Sequence, residues 1–266
     1  MIVIKNNFLI NYKYFQNMQA NEFSFNSNIN ISQIKENFVN MKEEELSPIN
    51  PLEYKISIDQ TRPIFINWLS FLCSNLNFSN QTFFRCVSIF DQYITRISEE
   101  EASLLDKDGL SLILISCLSL STKFEEISCN YVNFLNEKVL NSPNSKIYSN
   151  KDITKMELQI LKALKYKIIY STPFDFVEIY AEIFKSFLGS NNSEINEQIL
   201  STIKVYSINL IKNNINNIIY LTNSASQIAY ICFIKVLNQA NLANLINMKQ
   251  FEKSFFSLNY QLSNLF

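Results

Sequence analysis

The stretch Leu110-Ser-Leu-Ile-Leu-Ile-Ser-Cys-Leu-Ser-Leu-Ser-Thr-Lys123-Phe124-Glu125-Glu126 decides how the rest of this sequence is read. As far as Thr122 it holds only apolar residues and small hydroxyl or thiol residues, with no charge on any helical face. A surface helix carries a polar stripe at helical spacing, so a helix without one is expected to be buried all round. The run is too short and too interrupted by serine for a membrane span, which needs ~20 apolar residues. Charge then arrives abruptly as Lys123-Phe124-Glu125-Glu126, where the helix must leave the core. A helix enclosed by others and ending in a polar cluster suggests a helical scaffold that presents the cluster to a partner.

Composition points to the same all-α class. The chain has 266 residues, 47% of them hydrophobic and 14% aromatic, enough for one large core or two ordinary ones. With 2 glycines and 5 prolines it is too poor in turn residues for an all-β fold, and it has no glycine-rich phosphate loop. Histidine is absent, which removes the commonest general base, the Ser-His and Cys-His nucleophiles and most zinc sites. No carboxylate pair or nucleophile arrangement stands out either, so the expectation is a non-enzyme with no metal and no cofactor. The cysteines (Cys73, Cys86, Cys117, Cys129, Cys232) lack C-x-x-C spacing and read as free, buried thiols of a reducing compartment. A net charge of -1 without a basic face speaks against nucleic acid as a partner. The N-terminus lacks a signal-peptide layout, so an intracellular, soluble protein is expected. The abundance of Asn, Ile, Lys, Phe and Tyr is that of an AT-rich genome, which makes Asn runs poor evidence of function.

Taken in order, residues 1–50 read as an N-terminal extension, partly disordered, with one short helix around Ile31 to Met41. Two short motifs fall there: the triplet Lys35-Glu36-Asn37 and the proline-directed dipeptide Ser47-Pro48, both easily produced by chance in a Lys-, Glu- and Asn-rich chain. From Thr61 helical periodicity takes over. Thr61 reads as a cap with Pro63 close behind, and Ile64, Phe65, Trp68, Leu69 and Leu72 as one apolar face. Ser79-Asn-Gln starts a second helix, and Ser98-Glu-Glu-Glu-Ala links it to the uncharged one. Further helices are expected at Asn130–Val139, from Lys151-Asp152, and at about Phe174–Phe187, Ile195–Lys212, Thr222–Gln239 and Gln250–Leu262. A loop is expected at Asn141-Ser-Pro-Asn-Ser. Ala225 to Ile234 again lacks charge and reads as a second enclosed helix. Two helical units emerge, 51–171 and 172–266.

Five stretches, in order, resemble the cyclin box. Arg62-Pro-Ile-Phe-Ile-Asn-Trp68-Leu69 is similar to the family's M-R-x-I-L-x-D-W-L, and Ser88-Ile-Phe-Asp91-Gln-Tyr-Ile-Thr95 to its N-x-x-D-R-F-L-S. Ser121-Thr-Lys123-Phe124-Glu125-Glu126-Ile127 is similar to S-K-F/Y-E-E-I, and Lys155-Met-Glu157-Leu-Gln-Ile-Leu161-Lys-Ala-Leu164 to K-x-E-x-x-I-L-x-x-L. Thr172-Pro173 with Phe176 resembles the T-P-x-x-F opening of a second repeat. The resemblance implies two tandem cyclin boxes and a non-catalytic subunit that binds and activates a cyclin-dependent kinase in cell-cycle control, in nucleus and cytoplasm. It implies a structural set of Arg62, Asp91 and Leu112, with the arginine and aspartate paired between the first two helices. It implies kinase contacts at Lys123, Glu157, Phe124 and Glu125. On the residues alone, Lys123 equally well pairs Glu125, Glu126 or Glu157 within the fold.

The resemblance also implies a substrate- or inhibitor-docking patch at Thr61, Ile64, Phe65, Trp68, Lys107 and Ser111, altered here at Thr61, Pro63, Asn67, Lys107 and Ser111. Lys35-Glu36-Asn37 spells the KEN degron read by the anaphase-promoting complex. Thr172-Pro-Phe-Asp-Phe leans toward the mitotic A/B-like group, whereas the N-terminus has no arginine for an R-x-x-L destruction box. The alternative is a cyclin-fold transcription-associated or scaffold protein without a cell-cycle kinase role.

Overall fold

The computed structural model describes residues 31–126, 148–186 and 193–240. The expected helices at Asn130–Val139 and Gln250–Leu262, and the loop at Asn141, lie outside the described residues. Within them the chain is helical, and its only ladder-type contact is one isolated parallel bridge between Glu45 and Ser171. The helices are α1 (Ile31–Glu43), α2 (Thr61–Asn75), α3 (Asn80–Arg96), α4 (Glu99–Ser103), α5 (Lys107–Glu125), α6 (Asn150–Ala163), α7 (Pro173–Lys185), α8 (Ser193–Asn214), α9 (Ile218–Thr222) and α10 (Ala225–Gln239). A single 3-10 turn, Pro51–Glu53, precedes α2.

Local chemistry sets most boundaries. Ser79 caps α3 by accepting the Thr82 amide at 3.1 Å, and Ser98 and Ser149 close capping boxes with Glu101 and Asp152 at the starts of α4 and α6. Asp106 caps α5 through the Gly109 amide at 2.7 Å. Helix α2 starts differently from the sequence expectation. Thr61 is its first helical residue, not its cap, and the amides of Thr61 and Arg62 both donate to the Ser57 carbonyl. Pro63 is still in the first turn, where a missing N–H leaves no bond unmade. The expected Thr222–Gln239 helix begins three residues later, as α10, and a separate short helix, α9, ends at Thr222 with Asn223 as its C-cap.

The molecule divides into two compact units, and the division does not follow chain order. The first comprises residues 44–174 together with 214–225. Its centre is α5, on which α3 packs most extensively and α6 next. Every residue from Ile113 to Thr122 is buried, as the absence of charge requires. Three of the four hydroxyls in this run bond back to the helix itself, while the buried Ser119 hydroxyl has no partner among the described residues. Ser116 donates to the Leu112 carbonyl, Ser121 to that of Cys117, and Thr122 to that of Ser119. Helix α3 contributes Phe83, Phe84, Val87, Phe90 and Ile94 to the same core.

On α2 the buried face is Arg62, Phe65, Ile66, Leu69, Leu72 and Cys73. The sequence reading placed Ile64 and Trp68 on that face. Instead Ile64 is 61% exposed and Trp68 half-buried, roughly a quarter-turn away from the seam with α3.

The second unit comprises residues 1–43, 175–213 and 226–266. Its described core is aromatic: Phe38 of α1 packs edge-on against Phe176 at 5.9 Å, Tyr180 lies 6.1 Å from Phe233, and Phe184 6.2 Å from Phe233. Helix α1 is therefore a core element of this unit. Lys42 at its end reaches the Ser226 hydroxyl at 2.9 Å. Helix α10 is less enclosed than its uncharged sequence suggests, with Ile231 exposed and Tyr230 and Ile234 half-buried. Its charge-free run thus supplies one buried face, through Ile228, Ala229, Cys232, Phe233, Val236 and Leu237.

Candidate functional site

Two polar constellations stand on the first unit, one wholly inside it and one at its surface. The inner one is built on Arg62, which is fully buried. Its Nε and Nη2 donate to the two carboxylate oxygens of Asp91 at 2.9 and 2.8 Å, the bidentate geometry suited to a desolvated guanidinium. Its remaining fork atom, Nη1, donates to the Ile215 carbonyl at 2.7 Å, and its Cζ lies 5.6 Å from the centre of the Tyr220 ring. Tyr54 completes the set by donating its hydroxyl to Asp91 Oδ1 at 2.5 Å. Burial works against the Arg62 charge, but Asp91 alongside outweighs it and the guanidinium pKa is raised. Burial first, and then the Asp91 anion, raise the Tyr54 phenol well above its ordinary value. Arg62 thus ties α2, α3, the segment before α2 and the 214–225 segment at one point.

The outer constellation is the end of α5. Lys123 Nζ donates to both oxygens of Glu157 on α6, at 2.6 and 2.7 Å. The lysine side chain is 46% exposed and the glutamate 8%, so the pair forms a cation at the surface seated on an anion beneath it. Phe124 at 51% exposure and Leu158 at 45% follow the two charged residues and leave apolar surface on both helices. Of the internal pairings open to Lys123, the one with Glu157 forms.

The two glutamates after Phe124 face the fold. Glu125 is held by Arg85 of α3, whose Nη1 also donates to the Tyr170 carbonyl at 3.2 Å. Glu126 accepts from the Ser79 amide at 2.8 Å and from the Thr82 hydroxyl, closing the first turn of α3 from outside the helix. Burial pushes the Glu126 carboxyl up, but these hydrogen bonds prevail and hold its pKa below the ordinary value. Of the charged residues at the end of α5, Lys123 is exposed, while Glu125 and Glu126 are half-buried and engaged with α3. Leu112, expected to pack, is half-buried near the start of the same helix.

The expected docking-patch residues are not all on the surface. Ile64 and Lys107 are exposed, and Thr61, Trp68 and Ser111 half-buried. Phe65 is buried and stacked on Phe90 with centroids 6.5 Å apart, so it supports the patch from below. Phe71, which sequence reasoning passed over, is 61% exposed and continues the Ile64–Trp68 stripe at helical spacing. The triplet Lys35-Glu36-Asn37 lies within α1, where Asn37 accepts from Gln33 at 3.2 Å. Among the described residues, no group of three His, Cys, Asp or Glu side chains converges to hold a metal ion. No helix there is long and apolar enough to cross a membrane.

Part of the chain is similar in sequence to known proteins. The G2/mitotic-specific cyclin-2 of Saccharomyces cerevisiae is 26% identical over 121 residues, 46% of this chain and 22% of that protein. The G2/mitotic-specific cyclin-B2 of Bos taurus is 29% identical over 137 residues, 50% of this chain and 31% of that protein. Cyclin-D1-1 of Arabidopsis thaliana is 29% identical over 143 residues, 52% and 40% of the two lengths. The chain thus spans less than half the length of each of these curated relatives, and B-type and D-type cyclins match it at the same identity. In three dimensions the X-ray structure of a viral cyclin from herpesvirus saimiri superposes with a TM-score of 0.57. It covers 89% of this chain and 97% of its own, and at 17% identity it speaks for the fold alone. The family described as cyclin, N-terminal domain, matches residues 33–169, half of the chain and the whole of the α2–α6 core, with Lys123, Glu157, Tyr54, Arg62 and Asp91 but not the 214–225 segment. This chain belongs to the cyclin family.

Proposed function

We propose that this protein is a non-catalytic regulatory subunit that binds and activates a cyclin-dependent serine/threonine kinase in cell-cycle control, acting in nucleus and cytoplasm. The observation that carries the reading is the Lys123–Glu157 pair with Phe124 and Leu158 beside it. An apolar surface rimmed by a fixed charge pair fits a contact in which area supplies affinity and charge supplies orientation. The pair is already formed, so docking need not order it. The kinase's mobile regulatory helix packs on this surface and carries its glutamate into the Lys–Glu ion pair that phosphoryl transfer requires. Only the active arrangement of that helix makes the contact, so binding selects the active state. The Arg62 constellation serves the scaffold. The stripe Ile64–Trp68–Phe71, with Lys107 and Ser111, is the place for a substrate or inhibitor peptide. Recognition of Lys35-Glu36-Asn37 by the anaphase-promoting complex would require those residues to leave α1.

The test is co-purification of a cyclin-dependent kinase with the intact chain. Lys123→Ala with Glu157→Ala abolishes capture on this reading while helicity is retained. Because Lys123→Ala alone strands a buried Glu157, Phe124→Ala with Leu158→Ala serves as the second variant. Both of its side chains are about half exposed, so the fold loses far less than from a core truncation, and capture falls at least tenfold. Undiminished capture by this second variant would remove the interface assignment. Salt-sensitive DNA binding would instead favour a transcription-associated cyclin-fold protein.

A further inference from the structure

The proline-directed dipeptide Ser47-Pro48 has a structural setting that the kinase-binding reading does not use. Residues 46–50 belong to no helix or ladder. They form a strap pinned at both ends to the first unit. Glu45 bridges to Ser171 on one side, and on the other the Ile49 amide donates to the Leu221 carbonyl at 2.7 Å. Asn50 locks the exit, extended at φ -71° and ψ 119° and capping the following 3-10 turn through the Leu52 amide at 3.1 Å. Between the pins Ser47 and Pro48 are both exposed, and the Ser47 hydroxyl makes no hydrogen bond among the described residues.

We propose that Ser47 is a phosphorylation site for a proline-directed serine/threonine kinase that needs no basic residue downstream. Such a kinase takes its substrate extended, with the acceptor hydroxyl free to reach the γ-phosphate of ATP. A helix or a ladder would first have to come apart, and this strap has neither. Pro48 offers the following pocket a ring and no N–H in need of an acceptor. The residue three places on is Asn50 and the first basic residue after it is Lys55, so a kinase that reads a nearby downstream cation has nothing to hold.

The other Ser/Thr-Pro dipeptides sharpen the assignment. Thr172-Pro173 stands at the start of α7 with Thr172 buried, and Ser142-Pro143 lies outside the described residues. In the transfer, Ser47 Oγ attacks the γ-phosphorus of ATP, and the O–P bond forms as the β–γ bridging bond breaks. ADP leaves with that electron pair, and the hydroxyl proton passes to the kinase's catalytic carboxylate.

Along the sequence the product charge has no cation close by. A phosphoserine brings nearly two negative charges, and Glu43, Glu44 and Glu45 already precede it with no Lys or Arg between Lys42 and Lys55. The modification therefore repels its own segment and loosens the pinned strap. This proposal rests on the strap alone and stands or falls separately from kinase binding through Lys123.

The experiment incubates the full chain with an active mitogen-activated protein kinase and Mg-ATP, and maps sites by intact mass and tandem mass spectrometry. Phosphate appears on Ser47, is absent from that position in Ser47→Ala, and slows at least tenfold in Pro48→Ala. Thr172 stays unmodified in the folded protein. Hydrogen exchange at the Ile49 amide quickens several-fold in the phosphorylated chain. An unmodified Ser47 under conditions that modify Ser142, or a Pro48→Ala rate equal to wild type, overturns the site. Unchanged exchange at Ile49 overturns the loosening.

Discussion

Removing Asp91 from beneath Arg62 exposes how the first unit is held together. The guanidinium has no access to solvent, and in Asp91→Ala its remaining polar partners are the Ile215 carbonyl and the Tyr220 ring face. Stranding one member of a buried ion pair costs about 3–5 kcal/mol. The Tyr54 hydroxyl loses its acceptor in the same change. Against a typical total of roughly 5–15 kcal/mol, that is enough to bring the unit near its unfolding threshold. Arg62→Met alone strands the carboxylate and costs about as much.

The double variant Arg62→Met/Asp91→Leu removes both charges and leaves only the Tyr54 hydroxyl and the Ile215 carbonyl unpaired, each worth about 1–3 kcal/mol. Its cost is therefore well below the summed singles, and the cycle returns a coupling of several kcal/mol. Adding Tyr54→Phe restores part of the remainder. The milder Tyr54→Phe in the otherwise native chain, which removes one hydrogen bond to a charged group, costs about 1.5–3 kcal/mol and stays measurable if the charge variants do not fold. Urea unfolding followed by fluorescence reads this unit specifically, because the chain's single tryptophan, Trp68, lies in α2. Additivity of the two charge substitutions within about 0.5 kcal/mol would refute the network, as would a cost below about 1 kcal/mol for Asp91→Ala.

Other perturbations address separate features. Glu126 has a folded pKa below its ordinary value, so its contribution is present above the unfolded pKa of about 4.3 and lost as pH falls through the lowered one. The melting-temperature gap between wild type and Thr82→Val should accordingly be widest near neutrality and narrow below about pH 4; a gap constant between pH 7 and pH 3 would contradict this. Lys165, just past α6, has φ 52° and is exposed, a left-handed backbone that costs a side-chain-bearing residue roughly 1–2 kcal/mol. Lys165→Gly should raise the melting temperature by roughly 2–4 °C in thermal unfolding, and a fall would count against strain there. Burial pushes the Cys86 and Cys117 thiols well up and that of Cys232 to about 11. These three, with buried Cys73, should resist iodoacetamide in the folded chain and react in urea; fast native labelling of Cys86 by mass spectrometry would disprove that.

What the sequence made legible is what local chemistry decides. The uncharged run of α5 required enclosure whatever its neighbours, and Ser79, Ser98 and Ser149 start their helices through bonds spanning three residues. The buried side of α2 was misread because Ile64 and Trp68 are as apolar as Phe65 and Leu69. Only the position of α3 distinguishes the two sides. The cluster after Thr122 looked like a set of charges offered outward, yet the partners of Glu125 and Glu126 lie 40 or more residues earlier, at Arg85 and at Ser79 and Thr82.

Backbone acceptors leave no trace in a sequence at all. There was nonetheless a hint in the scarcity of arginine. Arg62, Arg85 and Arg96 are the only three in the chain, and each donates to a main-chain carbonyl of a later segment, at Ile215, Tyr170 and Ala163 respectively. A planar fork can hold a carboxylate or amide oxygen and a carbonyl together, which a lysine ammonium does with far less directional control.

The return of residues 214–225 to the first unit carries a consequence for how the protein is made. The bond from Arg62 to the Ile215 carbonyl joins positions 153 residues apart, and the Ile49 amide waits for a carbonyl at Leu221. During synthesis the α2–α6 core exists for a long interval with a buried guanidinium one acceptor short and one pin of the strap unmade. Closing so long a loop adds little to its equilibrium cost, which grows only with the logarithm of length, but it delays the contact. The unit named first in chain order is therefore finished late, after much of its neighbour has emerged. A fragment ending at residue 174 is an interrupted folding intermediate, not a smaller version of this protein.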